Sequence, residues 1–274
     1  MGRPPEFAGF SDLDATGRAG AYADYLDDVR SVDAVAEWKQ LSFELLEPRP
    51  GARLLDAGCG TGEDALALVG LVAPGGRVTG VDLSAEMVTE ARRRCGDAGG
   101  ALEFVAADLR DTGLPDGAFD GCRVERTLQH LENPARAVAE LARVTRPGGW
   151  VIAAEPDWGT LVIDSDDDAA SAAVAWGAAG GLRSGRVGRT LRRLMLGAGL
   201  EEVTLRTRTL VVTELRRAEV LFDLGGATER ALTSRRLPLE VAEAWLAALT
   251  AADARGRFLA AMTAFMARGR RPPA

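Results

Sequence analysis

The stretch LLDAGCGTGEDA, Leu54 to Ala65, constrains the fold more than any other part of the chain. An apolar run ends on Asp56, three glycines follow at alternate positions (Gly58, Gly60 and Gly62), and a helix-forming segment starts at once. A turn of this kind between a strand and a helix lets backbone approach a ligand closely, because no Cβ intrudes and φ > 0 is allowed. The theme returns in VTGVDLS, Val78 to Ser84, where a second apolar run closes on Asp82. In an open parallel sheet both acids would gather at the carboxyl ends of the strands, where ligands bind.

The rhythm around these motifs is strict. ARLLDAG, RVTGVD, LEFVAAD, FDGCRVER and WVIAAEP read as five strands. EDALALVGLV, AEMVTEARRR and PARAVAELARVT read as the helices among them, the last opened by Asn133 and Pro134 as N-cap and N1. Strand and helix in alternation predict an α/β doubly wound, mostly parallel seven-stranded sheet. Residues 1–50 read as an N-terminal helical cap, because AYADYLDDVRSVDAVAEWKQLSFELL has helical spacing without interior Gly or Pro. Residues 51–160 form the α/β core and 161–200 a helical insertion and crossover. Residues 201–274 supply the last two strands, EVTLRTRTLVVTE and RFLAAMTAFMARG, with a mainly helical lid between them, all within one structural domain.

The glycine loop raises the question of its ligand. A dinucleotide fingerprint is G-x-G-x-x-G, with pyrophosphate at the helix N-terminus. Here Glu63 takes the third glycine's place and Asp64 follows, so the loop carries negative charge where a pyrophosphate would sit. Asp82 is well placed to accept from both hydroxyls of a ribose. A ligand with adenine, a ribose and a positive middle fits better, namely S-adenosylmethionine (SAM).

LLDAGCGTGEDA resembles motif I of the class I SAM-dependent methyltransferases. VTGVDLSAEMV resembles their second motif, AADLRD the adenine-side acidic motif, and FDGCRVERTLQHLENP with RPGG the following ones. The four cover about residues 50 to 156, in order, and are most similar to the ubiquinone/menaquinone-biosynthesis type; PDWGT resembles a bacterial subset with helical insertions after the fifth strand. The resemblance implies that Gly58 and Gly60 pack against the methionine part of SAM and that Asp56 shapes the loop. It implies that Asp82 holds the ribose, Leu83 and Met87 flank the adenine, and Asp108 and Leu109 contact it. Glu125 matches a position beside SAM. Tyr25 either closes over the cofactor or simply packs.

The sulfonium methyl is already electrophilic, so alignment and water exclusion dominate. A base is needed only for a protonated acceptor, and His130, the sole histidine, is the catalytic candidate, with pocket lining and structural packing as the alternatives. Arg126, Asp157 and Trp158 lie on the expected substrate side; Trp158 is an aromatic wall or core. The strip Arg183, Arg186, Arg189, Arg192 and Arg193 either clasps an anion or is a solvated helix face.

A net charge of -7 argues against a nucleic-acid or membrane-surface partner, and leaves a small-molecule methyl acceptor, with specialised metabolites the expected class. Three cysteines without CxxC spacing read as reduced thiols and one histidine argues against a zinc site, so no metal is expected. The N-terminus has no apolar signal region, and Glu6 weakens the acylation reading of Met1-Gly2. The expectation is a cytoplasmic monomer or homodimer. The competing reading is a protein of this fold that binds SAM, or a related ligand, without methyl transfer.

Overall fold

The computed structural model describes residues 7–96 and 98–273; Met1, Gly2 and Glu6, on which the acylation reading rests, lie outside them. The chain opens with α1 (Leu13–Thr16), α2 (Ala19–Arg30) and α3 (Asp33–Leu45). Then come β1 (Arg53–Ala57), α4 (Glu63–Val72), β2 (Arg77–Asp82), α5 (Ala85–Cys95), β3 (Leu102–Ala106), β4 (Phe119–Glu125), α6 (Pro134–Val144) and β5 (Thr145–Pro156). The second half holds β6 (Val162–Ile163), α7 (Asp168–Gly180), α8 (Leu191–Gly197), β7 (Glu201–Val212), α9 (Leu215–Phe222), α10 (Leu224–Thr233), α11 (Leu239–Ala254) and β8 (Ala260–Arg270).

The sheet runs β3-β2-β1-β4-β5-β8. Neighbours from β3 to β5 are parallel, whereas β8 is antiparallel to β5, β6 and β7. Ala261 pairs with both Val162 and Val211, so β6 and β7 lie on opposite edges of β8. β6 therefore prolongs the lane of β5, and the eight strands make a seven-lane, mostly parallel α/β sheet. From β1 the chain winds one way to β2 and β3, then the other way to β4 and β5. The switch between β1 and β4 opens a crevice at their carboxyl ends, the usual ligand position in such a sheet.

Strand residues alternate between two layers. Leu54, Val78 and Ile152 pack with Trp38, Leu68 and Val88 of α3, α4 and α5 on one face. Leu55, Val81 and Val151 pack with Leu141 of α6 and Met195 of α8 on the other. A third apolar cluster joins α7, α9, α10 and α11 to Tyr25 and Val29 of α2 and to Trp158, so the insertions close over the carboxyl end of the sheet.

Three local differences have plain causes. The N-terminal helical run divides at Ser31-Val32, where the Ser31 hydroxyl donates to the Asp28 carbonyl and Val32 turns extended ahead of α3. β5 starts at Thr145, earlier than Trp150: Thr145 pairs with Phe119, Trp150 with Gly121, and the Arg-Pro-Gly-Gly segment bulges between them. A Cβ on Gly149 would lie 2.6 Å from the Asp120 carbonyl oxygen, so the bulge needs glycine there. β7 is an outer strand, and only Arg208, Leu210 and Val212 at its end keep an alternating covered face.

At Gly62, φ is +87° and a Cβ would come 2.6 Å from Phe104 and 2.9 Å from Ala91. Gly62→Ala is expected to destabilise the fold by about 2 kcal/mol, through overpacking and a left-handed backbone. An unchanged urea midpoint would show that β3 and α5 yield more easily than this packing implies.

Candidate functional site

A cleft of about 1350 Å³, open to solvent, lies at the carboxyl ends of β1, β2 and β4 beneath α1 and α2. Gly58 and Gly60 line it with Asp82, Leu83, Met87, Asp108 and Leu109. A Cβ on Gly58, at φ +72°, would meet the Thr127 hydroxyl at 2.0 Å, so the glycine lets the β1 and β4 loops touch. Asp82 accepts from the Gly60 amide at 2.9 Å and the Ser84 amide at 3.0 Å. One oxygen thus anchors the glycine loop and the other the start of α5, which fixes the carboxylate at the cleft wall. Burial raises the Asp82 pKa, and these amides partly offset that. On the same side, Asp14 accepts from the Ala85 amide at 3.0 Å and from the Ser84 hydroxyl, tying α1 to the positive end of α5.

Behind the glycine loop lies a buried ionic cluster. Arg123 is 1% exposed; it donates from Nη1 to Asp56 Oδ1 at 2.8 Å, from Nη2 to Asp64 Oδ2 at 3.1 Å and to Glu125 Oε2, and from Nε to Ser42 Oγ at 2.7 Å. Lys39, the chain's only lysine, reaches Asp64 and, at 3.4 Å, Glu125. Burial pushes Asp56 above the usual carboxyl range despite the Arg123 charge. Burial also opposes ionisation of Asp64, but Lys39, Arg123 and Arg30 outweigh it and hold Asp64 below that range. Glu63 pairs with Arg30 at 2.9 Å and Arg94 at 2.8 Å. The free negative charge expected at the start of α4 is therefore neutralised.

A second network runs from β5 to the loop after β4. Glu155 is fully buried, and its Oε1 accepts from the Thr127 amide at 2.9 Å and the Leu128 amide at 2.7 Å. That clamp holds Arg126 at φ +51°, with its guanidinium donating to the Tyr25 hydroxyl at 2.9 Å. Trp158 Nε1 donates to Gln129 Oε1 at 2.7 Å, so the Gln129 amide nitrogen faces the other way. That nitrogen donates to the Arg126 carbonyl at 3.0 Å and to His130 Nε2 at 3.1 Å. An indole N–H can only donate, so the chain of bonds makes His130 Nε2 an acceptor and places the imidazole proton on Nδ1. Burial and the Arg126 charge lower the His130 pKa to about 3.

The cleft thus gathers most of the residues singled out above. Tyr25, Gly58, Gly60, Asp82, Leu83, Met87, Asp108, Leu109, Glu125, Arg126, His130 and Trp158 all line it. Asp108 already pairs with Arg110 at 2.7 Å, whose charge and hydrogen bonds lower its pKa. Two residues stand elsewhere. Asp56 lies under the loop, bonded to Arg123 and outside the lining. Asp157 does not face the cleft either, which corrects its placement on the substrate side: it is fully buried, caps the turn at Gly159 and binds Arg189. Arg189 is thereby a structural partner, whereas Arg183 lines the cleft mouth and pairs with Glu132 at 3.2 Å. His130 lines the cleft, as two of its three expected roles require, and an imidazole pKa lowered to about 3 by burial and the Arg126 charge disfavours the third, the base.

Arg30, Lys39, Asp64, Arg123, Thr127 and Gln129 line the cleft without having been singled out. The signal for Arg123 and Lys39 was a cation within an apolar strand and a lone lysine on an apolar helix, each needing a buried counter-charge.

Residues 55–153 match the family described as "Methyltransferase domain". An uncharacterized 37.1 kDa protein in transposon TN4556 of Streptomyces fradiae is 40% identical over 228 residues, covering 83% of this chain and 66% of that protein. A ubiquinone/menaquinone biosynthesis C-methyltransferase UbiE of Ectopseudomonas oleovorans is 35% identical over 128 residues, covering 46% of this chain and 75% of that one. The chain belongs to the class I SAM-dependent methyltransferases. It spans 66%, 55% and 52% of the lengths of the first curated relatives that it matches. The solved YcgJ protein from Bacillus subtilis shares the methyltransferase fold, with a TM-score of 0.60 and 19% identity over 87% of this chain and all 100% of that one.

The cofactor of this methyltransferase family is SAM, and the cleft suits it. Glu125 Oε1 is buried without a hydrogen-bond partner, an acceptor where the amino-acid end of SAM carries an ammonium. The Gly58 and Gly60 backbone leaves room beside it, and Asp82 is held ready for a diol.

Two expectations follow for this site. With one histidine in the chain, the imidazole NMR signals are unambiguous: they should show the Nδ1–H tautomer and no titration between pH 5 and 8. An inflection near 6.5 would restore His130 as a base. Glu155 is pushed up to about 8, first by burial and further by the Glu125 charge. Its folded pKa exceeds the unfolded value, so the stability it contributes is complete below about 4.5 and is lost as pH rises to about 8. Melting curves of wild type and Glu155→Gln should therefore diverge in favour of the variant toward alkaline pH; parallel curves would mean that Glu155 is ionised in the fold.

Proposed function

We propose that the protein transfers the methyl group of SAM to a small-molecule acceptor, with a specialised metabolite the expected class. The observation that carries the reading is Asp82, a half-buried carboxylate whose two oxygens are anchored by the Gly60 and Ser84 amides at the wall of a glycine-edged cleft. Family membership supplies the chemistry, and the helices that roof the cleft suit a small acceptor better than a polymer. Acidic net charge supports the same choice.

In this proposal Asp82 binds the ribose diol, Leu83 and Met87 flank the adenine, and Asp108 and Leu109 close its edge. Gly58 and Gly60 bring backbone against the methionine portion, Asp56 holds their loop through Arg123, and Glu125 takes the ammonium. Arg30 and Lys39, cations at the same end of the cleft, suit the carboxylate. Tyr25 roofs the cleft and orients Arg126. Arg126 and Trp158 face the acceptor, and His130 lines the cavity as a neutral hydrogen-bonding group. When bound, SAM supplies an electrophilic methyl, and the products are the methylated acceptor, S-adenosylhomocysteine and, from a protonated acceptor, one proton. The residues contribute alignment and exclusion of water.

No helix among the described residues is long and apolar enough to cross a membrane. Cys59, Cys95 and Cys122 are free, and burial raises the Cys122 thiol to about 12, which supports a reducing, cytoplasmic setting and no thiol chemistry there.

Calorimetric titration with SAM and S-adenosylhomocysteine tests the reading. Asp82→Ala should lose about 10- to 100-fold in affinity for both, as expected for a charge-assisted hydrogen bond to a diol, and Asp82→Asn less. Binding that ignores both substitutions would remove the ribose role. Binding of SAM without S-adenosylhomocysteine production across a panel of acceptors would favour the competing reading, a non-methylating SAM-binding protein.

A further inference from the structure

A second cavity lies beside the first, on the side of β5, β8 and β7. Its space, about 660 Å³, is walled by Val35 and Trp38 of α3, Leu210 of β7, Leu221 of α9 and Met262 of β8. Glu125, Arg126 and Trp158 border both spaces, so three side chains form the partition between them. That volume includes space open to solvent, and the walls are mostly apolar, as in small-molecule sites.

Two observations separate this space from a packing gap. Glu155 borders it, and its buried Oε2 has no hydrogen-bond partner; the Glu125 orphan oxygen belongs to the first cleft. Such groups are costly to keep dry unless a ligand satisfies them. The partition also holds Arg126 in a left-handed backbone conformation, where a residue with a side chain is strained. Glu155 sustains that strain by accepting from the next two amides, and Tyr25 holds the guanidinium from the cleft side. Strain kept in this way, between two cavities, marks a working boundary.

We propose that this cavity holds a largely apolar part of the methyl acceptor, and that Glu155 meets a hydroxyl or amine on it. The proposal rests on the methyl-transfer reading above. A hydroxyl or amine suits Glu155 because it can accept from a protonated carboxyl or donate to an ionised one. With the pKa pushed up to about 8 by burial, the carboxyl is protonated near neutrality and acts as donor. An acceptor carrying its own carboxylate would face two acids; Arg208, at the border of the cavity, is already paired with Glu37.

The probe is 6-bromo-2-naphthol, flat and apolar with one hydroxyl. Crystals of the full chain grown with S-adenosylhomocysteine and soaked in it should give a bromine anomalous peak between Trp38 and Met262. In solution, naphthol affinity read from tryptophan quenching should fall at least about tenfold in Ala264→Phe, which fills the cavity, with S-adenosylhomocysteine affinity in that variant within about twofold of wild type. It should fall about three- to tenfold in Glu155→Leu and stay near wild type in Glu155→Gln, whose amide N–H stands in for the carboxyl proton. A bromine peak confined to the first cleft, or absent, overturns the proposal, as does naphthol affinity that Ala264→Phe or Glu155→Leu leaves unchanged. In those cases intact S-adenosylhomocysteine binding leaves the methyl-transfer reading standing. Failure of the wild type to bind S-adenosylhomocysteine overturns that reading and this one with it.

Discussion

Arg123 is the interaction on which the rest of the site depends. A guanidinium 1% exposed, in the middle of a central strand, is stable only if every donor finds a partner, and here the partners come from four elements. Asp56 belongs to β1, Asp64 to α4, Glu125 to β4 itself and Ser42 to α3. One side chain therefore fixes the spacing of the two strands that make the switch point. It also pins the helix that opens the cleft floor and the N-terminal helix behind it. Lys39 completes the charge balance from α3, because three carboxylates around one arginine would repel each other. The planar five-donor fork explains why arginine stands there and lysine could not.

From that anchor the functional geometry follows in two directions. Toward β2, the glycine loop hangs between Asp56 below and the Asp82 carboxylate beside it, so the loop's shape and the position of that acid are set together. Toward β5, Glu125 passes the constraint to the strained turn at Arg126, which Glu155 clamps from the neighbouring strand. The glycine-loop side is held by ion pairs, buried at Arg123 and half-open at Arg30 and Glu63. The β5 side is held by a buried acid, amides and an indole. That difference in polarity is the physical basis for assigning the two sides to different ligands.

The fold was legible because its signals are local. Gly58, Gly60 and Gly62 announce a turn that only glycine can make, Asn133-Pro134 announces a helix start, and strand–helix alternation leaves few topologies. Asp82 was legible for the same reason: a strand, an acid and a helix start lie together in sequence. Asp157 was not, because its exclusion from the cleft depends on Arg189, 32 residues away, which captures both of its oxygens. The role of Arg123 was hidden likewise, since its partners at Ser42, Asp56 and Asp64 are long-range. Glu63 shows the same limit from the other side. Its charge was read correctly but its neutralisers, Arg30 and Arg94, come from helices whose packing the sequence does not reveal.

The single histidine carries the last step of this argument. A lone imidazole at a strand end invites a base role, yet basicity depends on what surrounds the ring. Burial opposes the charged ring first and Arg126 adds a positive charge nearby, while Gln129, fixed by Trp158, occupies the Nε2 lone pair. The group in this region that exchanges a proton near neutrality is instead Glu155, at about 8. A fold that lowers the imidazole and raises the carboxyl has exchanged their usual roles: the histidine stays neutral and the acid keeps its proton. If the acceptor arrives protonated, its proton leaves to solvent, because Glu155 already holds one. A site built this way suits acceptors whose nucleophilic atom already has a free lone pair, or that lose their proton only after the methyl has moved.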